Sequence, residues 1–249
     1  MGAIWSPRWR ELSERRFDPK TMRSEMNIMK HIQTSYGNLP LWQRKCADAG
    51  VPFAWMEDSK FGMPQGSSID GKFVTAHSCR MAYYAHRILS RIEWKKPITV
   101  VEIGGGFGSL ARTFAANLGK ELSAYFLVDS TEMRRISESY LAGAGHKTYP
   151  FWWLRPTDAW PECDLVINTN SLGEMDLAEV TQYFKKIQAH LIGGGAFYSH
   201  NRIERLTNFR AYPYDGQWEH HVEKDGIFVE ALSIRRHGAN SPHPVTMIH

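Results

Sequence analysis

The sequence predicts a doubly wound α/β fold: a mostly parallel sheet, closed by a C-terminal antiparallel hairpin and preceded by a helical extension. Three observations carry this. Short apolar runs rich in β-branched residues alternate with helical apolar stripes from Ile98 onward. A glycine-rich turn joins the first such run to the first stripe. Late in the chain, Asp225-Gly226 separates two more strand-like runs, a strong hairpin signal.

The elements follow in order. Residues 1–95 read as a helical cap or lid region and residues 96–249 as the core. Ser6-Pro7 looks like a helix start. Met22, Met26, Met29 and Ile32 recur at helical spacing and predict one amphipathic helix. From Gly37 to Gly71, Pro40, Pro52, Pro64 and several glycines predict a long irregular stretch, a lid or a linker. Met81, Tyr84, Ile88 and Ile92 then mark a helix ending before Lys95-Lys96-Pro97. No strand is expected up to about Trp94.

Residues 98–103 predict the first strand, and Leu110, Phe114 and Leu118 the helix after it, capped at Gly119. Strands are expected at 124–128, 149–154, 165–167 and 196–199. Between the last two, Asp176 with Glu179 resembles a capping box, and Leu177, Val180, Phe184, Ile187 and Leu191 form a helical stripe closed by Gly193-Gly194-Gly195. Residues 218–222 and 227–235 flank the Asp-Gly turn as the terminal hairpin. The end of the chain, with Pro242, Pro244 and His249, reads as a loop.

Composition narrows the function. Hydrophobic residues make up 43% and charged residues 22% of the 249, ordinary for a globular chain. The net charge of +4 comes without a long Lys/Arg run, which argues against a nucleic-acid partner. Cys46, Cys79 and Cys163 are too scattered for a disulfide framework or a zinc motif. No apolar stretch approaches a membrane span, and the N-terminus lacks the apolar region of a signal peptide. The expectation is a cytoplasmic protein.

The chemistry concentrates in Glu102-Ile103-Gly104-Gly105-Gly106-Phe107-Gly108. Glycines at 104, 106 and 108 let the backbone turn sharply and approach a ligand closely. A dinucleotide fingerprint needs its third glycine at 109, which is Ser109, and no Gly-Lys-Ser/Thr follows, so NAD and ATP are disfavoured. Asp129 ends the second strand 25 residues past Gly104, where a carboxylate can accept both hydroxyls of a ribose.

At these residues the chain resembles the class I S-adenosylmethionine-dependent methyltransferases, over roughly Ile98 to Arg236. The resemblance implies a Rossmann-like seven-stranded sheet and S-adenosylmethionine as cofactor. Gly104, Gly105, Gly106 and Gly108 would contact its amino-acid part, Glu102 would orient that loop or reach the cofactor amine through water, and Asp129 would hold the ribose. Three segments also look like the sugar O-methyltransferases of natural-product and polysaccharide gene clusters. They are Glu102–Arg112, Asp164-Leu165-Val166-Ile167-Asn168-Thr169-Asn170-Ser171-Leu172-Gly173-Glu174-Met175, and Phe197-Tyr198-Ser199-His200-Asn201-Arg202.

Methyl transfer to a hydroxyl needs alignment and a base. Ligands of open α/β sheets bind beyond the carboxyl ends of strands. Asn168 is therefore expected at the cofactor, Glu174 and His200 as catalytic candidates, and Asn170, Ser171, Asn201 and Arg202 at the acceptor. His77 would cover the cleft from the N-terminal side, and the adenine pocket is sought at residues 153–158. His220 and His221, adjacent in a strand, point to opposite faces and cannot chelate together. A divalent metal is compatible with Glu174 and His200, but no ligand spacing requires one. The expected partner is a small-molecule acceptor, a sugar or glycoside. Alternatives are a non-sugar O- or N-acceptor, or a non-catalytic binding module. A homo-oligomer is open if residues 1–95 form a dimerisation arm.

Overall fold

The structure is a computed structural model that describes residues 18, 20–24, 38–94, 96–146, 149–202, 211–225 and 228–236. Ser6-Pro7, the positions Met26, Met29 and Ile32, and the C-terminal end at His249 lie outside these residues. Met22 of that stripe is described and is fully buried.

The stretch expected to be irregular contains regular structure. Helix α1 (Leu39–Asp48) starts at Asn38, whose side chain accepts from Leu41 N, and carries Pro40 in its first turn. A 3-10 turn follows at Phe53–Met56. Strands β1 (Ser67–Ile69) and β2 (Lys72–Val74) pair antiparallel around Asp70-Gly71. This corrects the expectation of no strand before Trp94. Both turn residues have positive φ (47° and 77°), as a two-residue type I′ hairpin requires. Helix α2 (Ala76–Leu89) begins with a capping box, Ser78 N donating to Thr75 Oγ1 (2.9 Å) and Thr75 N donating to Ser78 Oγ (3.0 Å).

The core alternates as the sequence predicts. Its elements are β3 (Ile98–Ile103), α3 (Ser109–Leu118), β4 (Leu122–Val128), α4 (Thr131–Gly143), β5 (Phe151–Leu154), β6 (Cys163–Thr169), α5 (Leu177–His190), β7 (Leu191–Arg202), β8 (Trp218–Asp225) and β9 (Phe228–Arg235). The seven strands lie in the order β5-β4-β3-β6-β7-β9-β8. The first five are parallel, and β9 runs antiparallel between β7 and β8. Chain order reverses between β3 and β6, which opens a crevice at their carboxyl ends.

Alternation along each strand splits the core into two layers. Val100, Tyr125, Leu165 and Tyr198 pack under α2, α3 and α4. Val101, Val166 and Phe197 pack under α5, whose Asp176 cap accepts from Glu179 N. Consecutive in β5, Trp152 and Trp153 face opposite ways: Trp152 is 56% exposed, while Trp153 turns inward and donates to Ser137 Oγ. One signal was misassigned. Gly193-Gly194-Gly195 does not close α5, which ends at His190, but lies inside β7, where the pairing with β6 shifts register. No described helix is long and apolar enough to cross a membrane.

Candidate active site

β3 ends in the middle of the sheet, and the chain turns there into α3. Gly104, Gly106 and Gly108 all adopt left-handed φ (72°, 56° and 86°). Gly104 shows most directly why no other residue fits. A Cβ there would lie 2.3 Å from Ser171 Cβ, in the loop that follows β6. The turn is thereby pressed between two strand ends, with its backbone facing one cavity.

Two acids stand behind the turn. Asp129 follows β4; its Oδ2 accepts from Gly106 N (3.0 Å) and its Oδ1 from Ser130 N (2.8 Å). Each oxygen keeps capacity for a further donor. Burial pushes this carboxyl up to about 6, against the pull of those two N–H groups. Glu102 is 2% exposed and accepts from the Tyr125 hydroxyl (2.9 Å). Burial raises it to about 7, with the Asp129 charge adding to the effect. Both acids line the cavity, together with Gly104, Gly105 and Gly106.

The loop after β6 forms the opposite wall. Asn170 (φ 69°) donates its N–H to His200 O, and Ser171 Oγ donates to Ile103 O (2.8 Å). Thr169, Asn170, Ser171 and Glu174 all line the cavity, Glu174 from a 3-10 turn at Leu172–Glu174. Adenine-side expectations fall on Pro156, which also lines it.

Five expected site residues do not line this cavity. Gly108 ends the turn at the start of α3, where a Cβ would meet the Leu141 side chain (3.1 Å). Asn168 is fully buried and spends its hydrogen-bonding capacity on the frame. Its Nδ2 donates to Ile103 O (3.0 Å) and to Ser171 Oγ, while its Oδ1 accepts from Leu172 N and Asn201 Nδ2. Asn201 is bound into the same frame, accepting from Gly173 N and donating to Tyr212 OH. His200, on the other face of β7, is 1% exposed between the rings of Tyr84 and Phe228, each centroid 4.7 Å away. Its Nδ1 lies 3.2 Å from the Tyr84 hydroxyl. Arg202 is exposed at the end of β7. The reason is strand geometry: Asn168, His200 and Asn201 are still inside β6 and β7, where alternation turns their side chains into the layers flanking the sheet.

Other wall residues were not singled out. α2 contributes Arg80 and Met81 beside His77, and α4 and α5 contribute Met133, Glu179 and Tyr183. Arg80 stands one helical turn after His77, a spacing that could have flagged the pair. The remaining residues carry no local signal, because their position depends on how the helices pack. Among the described residues, no group of three or more His, Cys, Asp or Glu is placed to hold a metal ion.

The strand order, the terminal hairpin and the glycine turn together define a Rossmann-like methyltransferase fold. Two solved structures at TM-score 0.50 share it. An O-methyltransferase family 2 protein from Planctomyces limnophilus, in complex with apigenin, aligns at TM-score 0.50 and 13% identity over 63% of this chain and 58% of its own. The ribosomal protein L11 methylase from Lactobacillus delbrueckii subsp. bulgaricus aligns at TM-score 0.50 and 20% identity, over 66% and 81%. TrmN from Thermus thermophilus aligns at 0.46 and 18%, over 57% and 44%. The chain thus spans about half the length of the Planctomyces and Thermus proteins. At these identities the likeness is one of fold. No protein-family model and no curated protein matches the sequence.

Proposed function

We propose that the protein is an S-adenosylmethionine-dependent methyltransferase acting on a hydroxyl of a sugar or glycosylated metabolite. The observation that carries this reading is the glycine turn whose Gly106 N–H is held by Asp129, both facing one cavity at the switch point of the sheet. The neighbours' names favour methyl transfer. The sugar acceptor rests on the likeness of the segments around Gly104, Ser171 and His200 to sugar O-methyltransferases.

In this reading the backbone of the glycine turn and the N-terminus of α3 bind the amino-acid end of the cofactor. The open lone pairs of Asp129 accept the ribose hydroxyls, and Met133 and Pro156 offer apolar surface beside them. The bound cofactor supplies a methyl carbon made electrophilic by its sulfonium. Glu174, on the wall opposite the turn, would take the hydroxyl proton of the acceptor as the acceptor oxygen gains the methyl, while the S–CH3 bond of the sulfonium would break with its electron pair left on sulfur as a thioether. Asn168 and Asn201 act as positioning residues, holding the loop that carries Ser171 and Glu174. Within residues 1–95, α2 closes one wall of the cleft through His77, Arg80 and Met81.

The test has two parts. Calorimetry with S-adenosylmethionine should show Asp129→Ala binding more weakly by about 1.5–3 kcal/mol, the worth of charge-assisted hydrogen bonds. A methyl-transfer screen across glycosides, with and without EDTA, should then show Glu174→Gln slowed by about a hundredfold or more. A folded wild type that binds no S-adenosylmethionine would end this reading. Turnover confined to non-sugar acceptors would end its sugar part.

A further inference from the structure

Arg80 and His77 lie one turn apart on α2, and both line the cavity. Arg80 Nη2 is 3.2 Å from His77 Nδ1. A guanidinium has only N–H groups to offer, so Nδ1 is the acceptor. Burial, and next the Arg80 charge, hold His77 well below its ordinary pKa, so the ring is neutral at pH 7. In a neutral ring whose Nδ1 accepts, the proton sits on Nε2. That N–H is buried and meets no acceptor among the described residues. Buried donors left unmet are rare, and a ligand at this wall would supply what is missing.

The charges around the cavity say which group. Its walls carry the carboxyls of Glu102, Asp129, Glu174 and Glu179, and among the described residues Arg80 is the one Lys or Arg side chain. S-adenosylmethionine brings a sulfonium, an ammonium and a single carboxylate. Its cations suit the acids, and its carboxylate suits Arg80. The His77 ring also lies 5.0 Å from that of Phe107, inside the glycine turn, so the pair stands next to the turn. We infer that Arg80 and the His77 Nε2–H form the seat of the cofactor's α-carboxylate, with α2 serving as part of the cofactor site. This inference rests on the proposed function and deepens it.

Calorimetric titration with S-adenosylmethionine and with its decarboxylated form separates the two ideas. The decarboxylated compound keeps the sulfonium and ammonium and lacks only the carboxylate. The wild type should prefer the intact cofactor by about 10- to 100-fold, the equivalent of one or two charge-assisted hydrogen bonds. Arg80→Gln should erase that preference by weakening the intact cofactor alone. His77→Phe, which keeps a ring against Phe107, should narrow it about three- to tenfold. Equal affinities in the wild type would overturn the seat without recourse to any variant, as would a preference that survives in both variants. A wild type that binds neither compound would overturn the cofactor reading itself, and the seat with it.

Discussion

Glu102 links the site to stability through a single proton. Its carboxyl is raised from an ordinary 4.5 to about 7, mainly by burial. The folded pKa lies above the unfolded one, so the folded state is favoured while the group stays protonated. That contribution is complete below 4.5 and is lost as the pH rises through 7. A shift of this size corresponds to about 3 kcal/mol above pH 7. Glu102→Gln keeps an acceptor for Tyr125 and does not titrate. Urea denaturation of the ligand-free protein should find the variant more stable than wild type at pH 8, by up to about 3 kcal/mol. The two should converge near pH 4.5. Parallel pH profiles would show that Glu102 is ionised at little cost. The motif around Glu102 was plain in the sequence; the proton on it was not, since it depends on Tyr125 in the neighbouring strand and on the layer packed above.

At the scale of elements, the carboxyl end of β6 acts as a splice. Asn168 joins Ile103 at the end of β3, Leu172 in the following turn and Asn201 in β7. Replacing it with alanine leaves buried donors and acceptors unmet, at about 1–3 kcal/mol for each group that water cannot reach. Asn168→Ala should therefore lower stability by at least that much in urea denaturation, and lower kcat through Glu174 more than it weakens cofactor binding. A variant of normal stability that loses only cofactor affinity would restore Asn168 to the role of direct ligand. Local signals at this scale were legible when they were complete in a few residues. The Asp176 cap and the terminal hairpin are examples. The Asp70-Gly71 hairpin carried the same turn dipeptide, but its strands are only three residues long, too short for alternation to show. The glycine run before residue 196 misled because a helix end and a strand start there share one residue step.

Across the whole molecule, a buried ion pair inside the N-terminal extension packs against the core, where Arg112 approaches its carboxylate at 3.7 Å. Arg23 Nη2 lies 2.6 Å from Asp58 Oδ2, both side chains shielded from solvent, and Arg23 Nη1 also donates to Ser59 O (2.9 Å). Thr75 at the start of α2 donates to the same carboxylate. The guanidinium stands 5.4 Å from the rings of both Phe107 and Tyr140, so it touches the glycine turn as well. Burial alone would push the Asp58 carboxyl up; Arg23 and Arg112 outweigh it and hold the group below its ordinary value. Removing one partner strands the other charge. Arg23→Met should cost about 3–5 kcal/mol by urea denaturation, and the double variant Arg23→Met, Asp58→Asn should cost less than the sum of the singles. Additive losses, or a cost below about 1 kcal/mol, would show that the pair contributes no coupled stability.

The sequence by itself determined the alternating sheet, the place of the glycine turn and the acid after the second core strand, because each is set by periodicity or by a backbone conformation that few residues tolerate. It also put Asn170, Ser171 and Glu174 in a loop that lines the cavity. The tertiary structure decided what lines the cavity. Asn168 and Asn201 fell into the frame and His200 into the opposite layer, while Arg80 joined His77 at the wall from a helix before the first core strand. Strand order selects which ends meet, but the facing of each side chain and the helix that closes over it depend on packing between residues far apart in the chain.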